Sequence, residues 1–146
     1  MRLEEKATVA APPAAVWAAI SDPLALGRLS ADVIVDELEP GTVPGVGARY
    51  RVLIKVGAVP VGGNIEIIEY TTNLELTWTT LTGVDHRMRF RIREAPDGSR
   101  LTLRFGYDSP GILGSVADVV AFVPLRRTVR DLLDRVVIEV ERGDTA

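Results

Sequence analysis

The chain has 146 residues, 47% hydrophobic and 25% charged, with a net charge of −3, the composition of one globular domain with a core of its own. Zero cysteines exclude a disulfide framework, a thiolate nucleophile and a thiolate metal site, and one histidine leaves no imidazole set for zinc. The acidic balance argues against nucleic acid as a partner.

No apolar run approaches the ~20 residues of a membrane span. The opening Met1-Arg2-Leu3-Glu4-Glu5-Lys6 lacks the apolar core of a signal peptide. The expectation is one cytoplasmic domain over residues 1–146, without cofactor, metal or integral membrane segment. No repeat, linker or low-complexity stretch interrupts it.

In chain order, residues 2–10 read as a strand with Leu3, Glu5, Ala7 and Val9 on one face. Pro12 and Pro13 suit a helix start, where a missing N–H is harmless. Val16, Trp17 and Ile20 then share a helical face. Ser21 and Asp22 before Pro23 read as the cap of a second short helix ending near Gly27. Ala31 to Leu38 is a strand, and Pro40-Gly41 and Pro44-Gly45 punctuate the connection after it. Tyr50, Val52, Ile54 and Val56 alternate with Arg49, Arg51 and Lys55, as a half-buried strand does. Gly57, Pro60, Gly62 and Gly63 read as a turn with a bulge, and Ile65 and Ile67 begin the next strand.

The hairpin from Leu74 to Ile92 can be registered by its faces. Leu74, Leu76 and Trp78 share one, and His86, Met88 and Phe90 share another. Placing Trp78 opposite His86 aligns them and leaves Leu81-Thr82-Gly83 as a three-residue loop. The same register sets Glu75 opposite Arg89. Ala95-Pro96-Asp97-Gly98-Ser99 is a turn by its chemistry. Leu101, Leu103, Phe105 and Tyr107 line the inner face of the last strand.

Ser109 before Pro110 reads as the N-cap of a long closing helix. Its apolar stripe changes phase. Ile112, Leu113, Val116, Val119, Val120 and Val123 share one face, whereas Leu125, Val129, Leu132, Leu133, Val136 and Val140 share another. Proline removes a helical hydrogen bond, so the expectation is a lid-like segment over 110–123, a kink at Pro124, then a helix that packs on the sheet. The whole order predicts an α+β helix-grip fold. A curved antiparallel sheet of about seven strands wraps a long C-terminal helix, with two short helices after the first strand.

Val9-Ala10-Ala11-Pro12-Pro13-Ala14-Ala15-Val16-Trp17 with Ile20-Ser21-Asp22-Pro23 resembles the opening of the START-like superfamily, also called helix-grip or Bet v 1-like. The bacterial polyketide cyclase/dehydrase and lipid-transport branch is the nearest in appearance. Gly47-Ala48-Arg49-Tyr50 is similar to its glycine-led third strand. Arg28-Leu29-Ser30 stands where that branch often has a tryptophan. The resemblance covers nearly the whole chain and implies a START-like domain with a cavity between sheet and helix. The opening motif is a packing motif, so it carries no catalytic residue.

Inward faces supply the candidate ligand-binding residues Tyr50, Val52, Ile65, Ile67, Trp78, His86, Met88, Phe90, Phe105 and Tyr107, with Thr80 beside them. An apolar wall with few polar anchors is what ligand sites look like. His86 is the candidate acid/base, because imidazole titrates near neutral pH. Asp85 makes no dyad with it, since adjacent strand residues point to opposite faces. Arg87, Arg89, Arg91, Arg93 and Arg104 form a basic outer face that reads as solvated and paired with Glu66, Glu75 and Glu94. Paired inward carboxylates, a phosphate-binding glycine loop and a nucleophile elbow are lacking.

Three functions fit these features. The first is binding or carrying a small hydrophobic or amphiphilic molecule of lipid, polyketide or isoprenoid type. The second is a polyketide cyclase, aromatase or dehydratase with His86 as acid/base and tyrosines orienting carbonyls. The third is protein interaction through residues 112–123, including pairing with a second copy as a homodimer.

Overall fold

Strand periodicity and turn chemistry build an antiparallel sheet of seven strands in the order β1-β7-β6-β5-β4-β3-β2. These are β1 (Arg2–Val9), β2 (Val33–Glu37), β3 (Arg49–Val56), β4 (Val59–Thr71), β5 (Glu75–Thr80), β6 (His86–Ala95) and β7 (Gly98–Tyr107). Helices α1 (Pro13–Ile20) and α2 (Pro23–Leu29) follow β1, and α3 (Ile112–Thr145) closes the chain. The computed structural model describes residues 2–83, 85–107 and 112–145, with side chains in the last segment from 122 to 143. The reading of Ser109 as an N-cap lies outside the described residues.

Both short helices start at a proline, and α2 is capped by Asp22, whose carboxylate accepts from the Leu24 N–H at 3.1 Å. It runs on to Leu29, past the expected end near Gly27, because Gly27 packs within the helix against Val35. Strand β2 is correspondingly shorter than the expected span from Ala31 to Leu38.

The grip is made by Leu125, Val129, Leu132, Leu133, Val136 and Val140 of α3, all buried. They meet Leu76, Trp78, Phe90, Leu101 and Leu103 in one core. Thr128 Oγ1 donates to the Lys55 carbonyl at 2.7 Å, which ties α3 to the end of β3. Helical structure continues through Pro124, so the residues before it are not a separate element. Val123 is 62% exposed. The side chains of Ile112, Leu113, Val116, Val119 and Val120, on which the lid reading rests, lie outside the described residues.

Strands β1 and β2 are the margins of the sheet. Arg130 of α3 donates to the Lys6 carbonyl at 2.9 Å on the first, and α2 packs against Val35 on the second.

Two stretches differ from the sequence reading. The β3–β4 turn is only Gly57-Ala58, since Val56 pairs with Val59, Pro60 with Lys55 and Gly63 with Val52. Pro60 is tolerated because β5 reaches β4 no further than the Ile65–Thr80 pair, so its missing N–H removes no bond there. Gly62 and Gly63 serve close backbone approach. A Cβ on Gly63 would lie 2.2 Å from the Thr82 carbonyl oxygen. The bulge falls instead between Ile67 and Glu69.

The second difference is the β5–β6 register. Trp78 pairs with Met88 and Glu75 with Arg91, a shift of two residues from the expected Trp78–His86 and Glu75–Arg89 pairs. The connection therefore runs over residues 81–85 rather than over three residues. The Leu81 and Thr82 N–H groups donate to the Asn64 carbonyl of β4, at 2.7 and 3.4 Å. A shift of two keeps every side chain on its face.

Candidate functional site

The concave face of the sheet collects the expected residues. Tyr50, Val52, Ile65, Ile67, Trp78, His86, Met88, Phe90 and Phe105 are all buried. Tyr107, last on β7 and opposite His86, is half-buried.

His86 and Trp78 are diagonal neighbours on this face. The indole N–H donates to His86 Nε2 at 3.1 Å. An indole can only donate, so Nε2 presents its lone pair and the imidazole is neutral with its proton on Nδ1. The ring stacks on Phe105 with centroids 5.4 Å apart and planes 13° from parallel. The His86 backbone N–H donates to Thr80 Oγ1 at 3.1 Å, and that hydroxyl donates to Asp85 at 3.4 Å. Thr80 and Asp85 thus hold the start of β6 in place. The carboxylate of Asp85 engages Thr80.

Tyr50 is the other polar group of the face. Its side chain is fully buried, and its hydroxyl has no hydrogen-bond partner among the described residues. Burial pushes its pKa up to about 12, with Asp22, Glu37 and Tyr70 adding to the rise. The phenol is therefore a neutral donor at any ordinary pH.

Tyr70 is a neighbour that periodicity misses. Counting by twos from Ile65 and Ile67 turns residue 70 outward. The bulge between Ile67 and Glu69 reverses the phase. Tyr70 then meets Trp17 edge-on at 4.9 Å and donates to the Ser21 carbonyl at 2.9 Å. No local residue pattern announces that bulge.

A cleft of about 600 Å³ opens at the sheet end, where Thr80, Asp85, His86 and Tyr107 meet Arg2 and Arg87. It brings His86 and Tyr107 to the same opening. On the convex side, Arg91 pairs with Glu75 at 3.0 Å, Arg104 with Glu4 at 2.7 Å and Arg49 with Glu66 at 3.1 Å. Glu66 therefore serves β3 rather than the arginines of β6. Among the described residues, no group of three His, Cys, Asp or Glu side chains could hold a metal ion. No described helix is long and apolar enough to cross a membrane.

Residues 1–141 match the model of the family described as polyketide cyclase/dehydrase and lipid transport. No curated protein matches the chain. The fold is similar to that of TTHA0849 from Thermus thermophilus, with a TM-score of 0.82, 17% identity and all of both chains covered. It is similar to the KanY protein, with a TM-score of 0.76 and 20% identity over 97% of each chain. Ara h 8.0201 also matches, at a TM-score of 0.64 and 16% identity over 96% of this chain and 97% of the other. At those identities the likeness is one of fold, the START-like helix-grip.

Proposed function

Because the chain belongs to the polyketide cyclase/dehydrase and lipid transport family, we propose that it binds one small hydrophobic or amphiphilic molecule, of lipid, polyketide or isoprenoid type, on the concave face between the sheet and α3. The observation that carries this reading is the Tyr50 hydroxyl. A fully buried donor without a partner costs ~1–3 kcal/mol, and such groups in native proteins have a reason. Here the reason is an acceptor atom on the ligand. Val52, Ile65, Ile67, Trp78, Met88, Phe90 and Phe105 supply the apolar wall, and His86 and Tyr107 the polar end.

The same geometry weighs against His86 as a general base. Its Nε2 lone pair already accepts from Trp78, so taking a proton there would first break that bond.

Native mass spectrometry of protein from its own source should detect a bound small molecule. Fatty acyl chains and apolar fluorescent probes should bind at micromolar levels. Tyr50→Phe should weaken a carbonyl-bearing ligand by roughly 5- to 150-fold, the equivalent of one buried hydrogen bond, and leave a hydrocarbon probe unaffected. Absence of binding for every class of apolar probe would overturn the proposal.

A further inference from the structure

The convex face of the sheet presents a different chemistry. Strand pairing sets Arg2 of β1 and Arg87 of β6 on either side of Gly106 of β7. Two residues along, Arg89 of β6 stands opposite Arg104 of β7. Gly106 has no side chain, and a Cβ there would meet nothing closer than the Arg87 carbonyl oxygen at 4.0 Å. The result is a cleft of about 200 Å³ lined by Arg2, Arg87, Arg89, Arg104 and Gly106.

We propose that this cleft is a binding site for a doubly charged oxyanion of the phosphate class, with Arg89 at its centre. It adjoins the cleft at the sheet end, with which it shares Arg2, Arg87 and Gly106, and it does not rest on the ligand proposed for the concave face.

Three observations support it. First, the cations of the cleft are unequally compensated. Arg104 is held by Glu4, whose carboxyl it keeps below the usual range, and neighbouring Arg91 is held by Glu75. Among the described residues, no ion pair reaches Arg87 or Arg89. Second, Arg89 is placed against repulsion. Like charges directly opposite on paired strands destabilise the sheet, and the residue facing Arg89 from β5 is Thr77, not an acid. A solvated face would let such a side chain splay into water. Arg89 is instead half-buried. Burial lowers its pKa, the Arg104 and Arg91 charges lower it further, and Glu75 and Glu4 offset only part of that. Third, size and geometry suit the ligand. At ~30 Å³ per water, the cleft holds a five-atom oxyanion with hydrating water. Guanidinium forks match phosphate oxygens two at a time. A dianion would relieve the Arg89–Arg104 repulsion that the Glu4 carboxylate offsets only in part.

The test is calorimetric titration of the full chain with inorganic phosphate at low ionic strength, paired with thermal unfolding at up to ~10 mM phosphate, where general salt effects are small. Arg89→Gln and Arg87→Gln are the variants, and Arg93→Gln, exposed and outside the cleft, is the control. We expect saturable binding, reduced at least tenfold by Arg89→Gln and little changed by Arg93→Gln. Arg89→Gln should unfold at a higher temperature than the parent without phosphate, and at a lower or equal temperature with it. Vesicles containing phosphatidic acid, against phosphatidylcholine alone, separate a lipid headgroup from a soluble phosphate. Arg89-dependent binding in either arm supports the site. No saturable binding in both arms, or equal effects of Arg89→Gln and Arg93→Gln, would overturn it.

Discussion

The indole N–H of Trp78 and Nε2 of His86 are joined at 3.1 Å with both side chains out of solvent. Each ring fixes the other: the bond selects the tautomer of His86 and satisfies a donor that has nowhere else to turn. His86→Phe should therefore cost about 1–3 kcal/mol, the penalty of an orphaned buried donor. His86→Gln, which keeps an acceptor, should cost less. Urea unfolding of both variants measures the difference, and Trp78 emission in a Trp17→Phe background reports the change locally.

Tyr50 predicts an alkaline transition. Its pKa rises from 10.0 to about 12 on folding, so the folded state holds this proton more tightly than the unfolded one. The stabilisation is complete below pH 10, declines as pH rises through about 12, and is then lost. At ~1.4 kcal/mol per unit, that amounts to about 3 kcal/mol. Tyr50→Phe should be at least as stable as the parent at pH 8, having no hydroxyl to bury. It should also lose less stability between pH 9 and pH 12, as read from denaturant midpoints.

The corrected hairpin register can be read in solution. Arg91 meets Glu75 through two hydrogen bonds, at 3.2 and 3.0 Å. A double-mutant cycle on Glu75 and Arg91 should return roughly 0.2–1 kcal/mol of coupling. The same cycle on Glu75 and Arg89 should return a smaller value. Equal couplings would contradict the register.

Gly63 supports the loop before His86. A Cβ there would strike the Thr82 carbonyl oxygen at 2.2 Å, backbone against backbone. Gly63→Ala should cost several kcal/mol, in the range of changes that force backbone apart, and should loosen the Leu81 and Thr82 amides in hydrogen exchange. Gly45→Ala, with open space around it, should be near neutral.

The grip of α3 was legible because helical and strand periods leave separate traces. Leu125, Val129, Leu132, Leu133, Val136 and Val140 repeat with a helical period, and all six are buried. The inward set from Tyr50 to Phe105 alternates by twos, and parity decides a face. Parity cannot decide register. Pairing Trp78 with His86 or with Met88 keeps the same faces together, and the choice rests on the contact of residues 81 and 82 with Asn64, which no local pattern encodes. Tyr70 was hidden for the opposite reason. One extra residue at the bulge reverses parity, and nothing in Ile67-Ile68-Glu69 marks it. The Tyr50 hydroxyl could be assigned to the concave side by alternation. Its lack of a partner is a property of packing alone.

The margins of the sheet limit how this protein can associate. An edge strand with free amides and carbonyls invites another strand to extend it. On β1, the Lys6 carbonyl is taken by Arg130, and Arg126 reaches across to Glu5 at 2.9 Å. On β2, the helix that carries Gly27 leans on Val35, and Asp36 and Glu37 place negative charge along the outermost strand. An extended peptide, or an unfolded neighbour in a concentrated sample, thus meets side chains and helices where templating would need bare backbone. Polymerisation through sheet growth is discouraged at both ends.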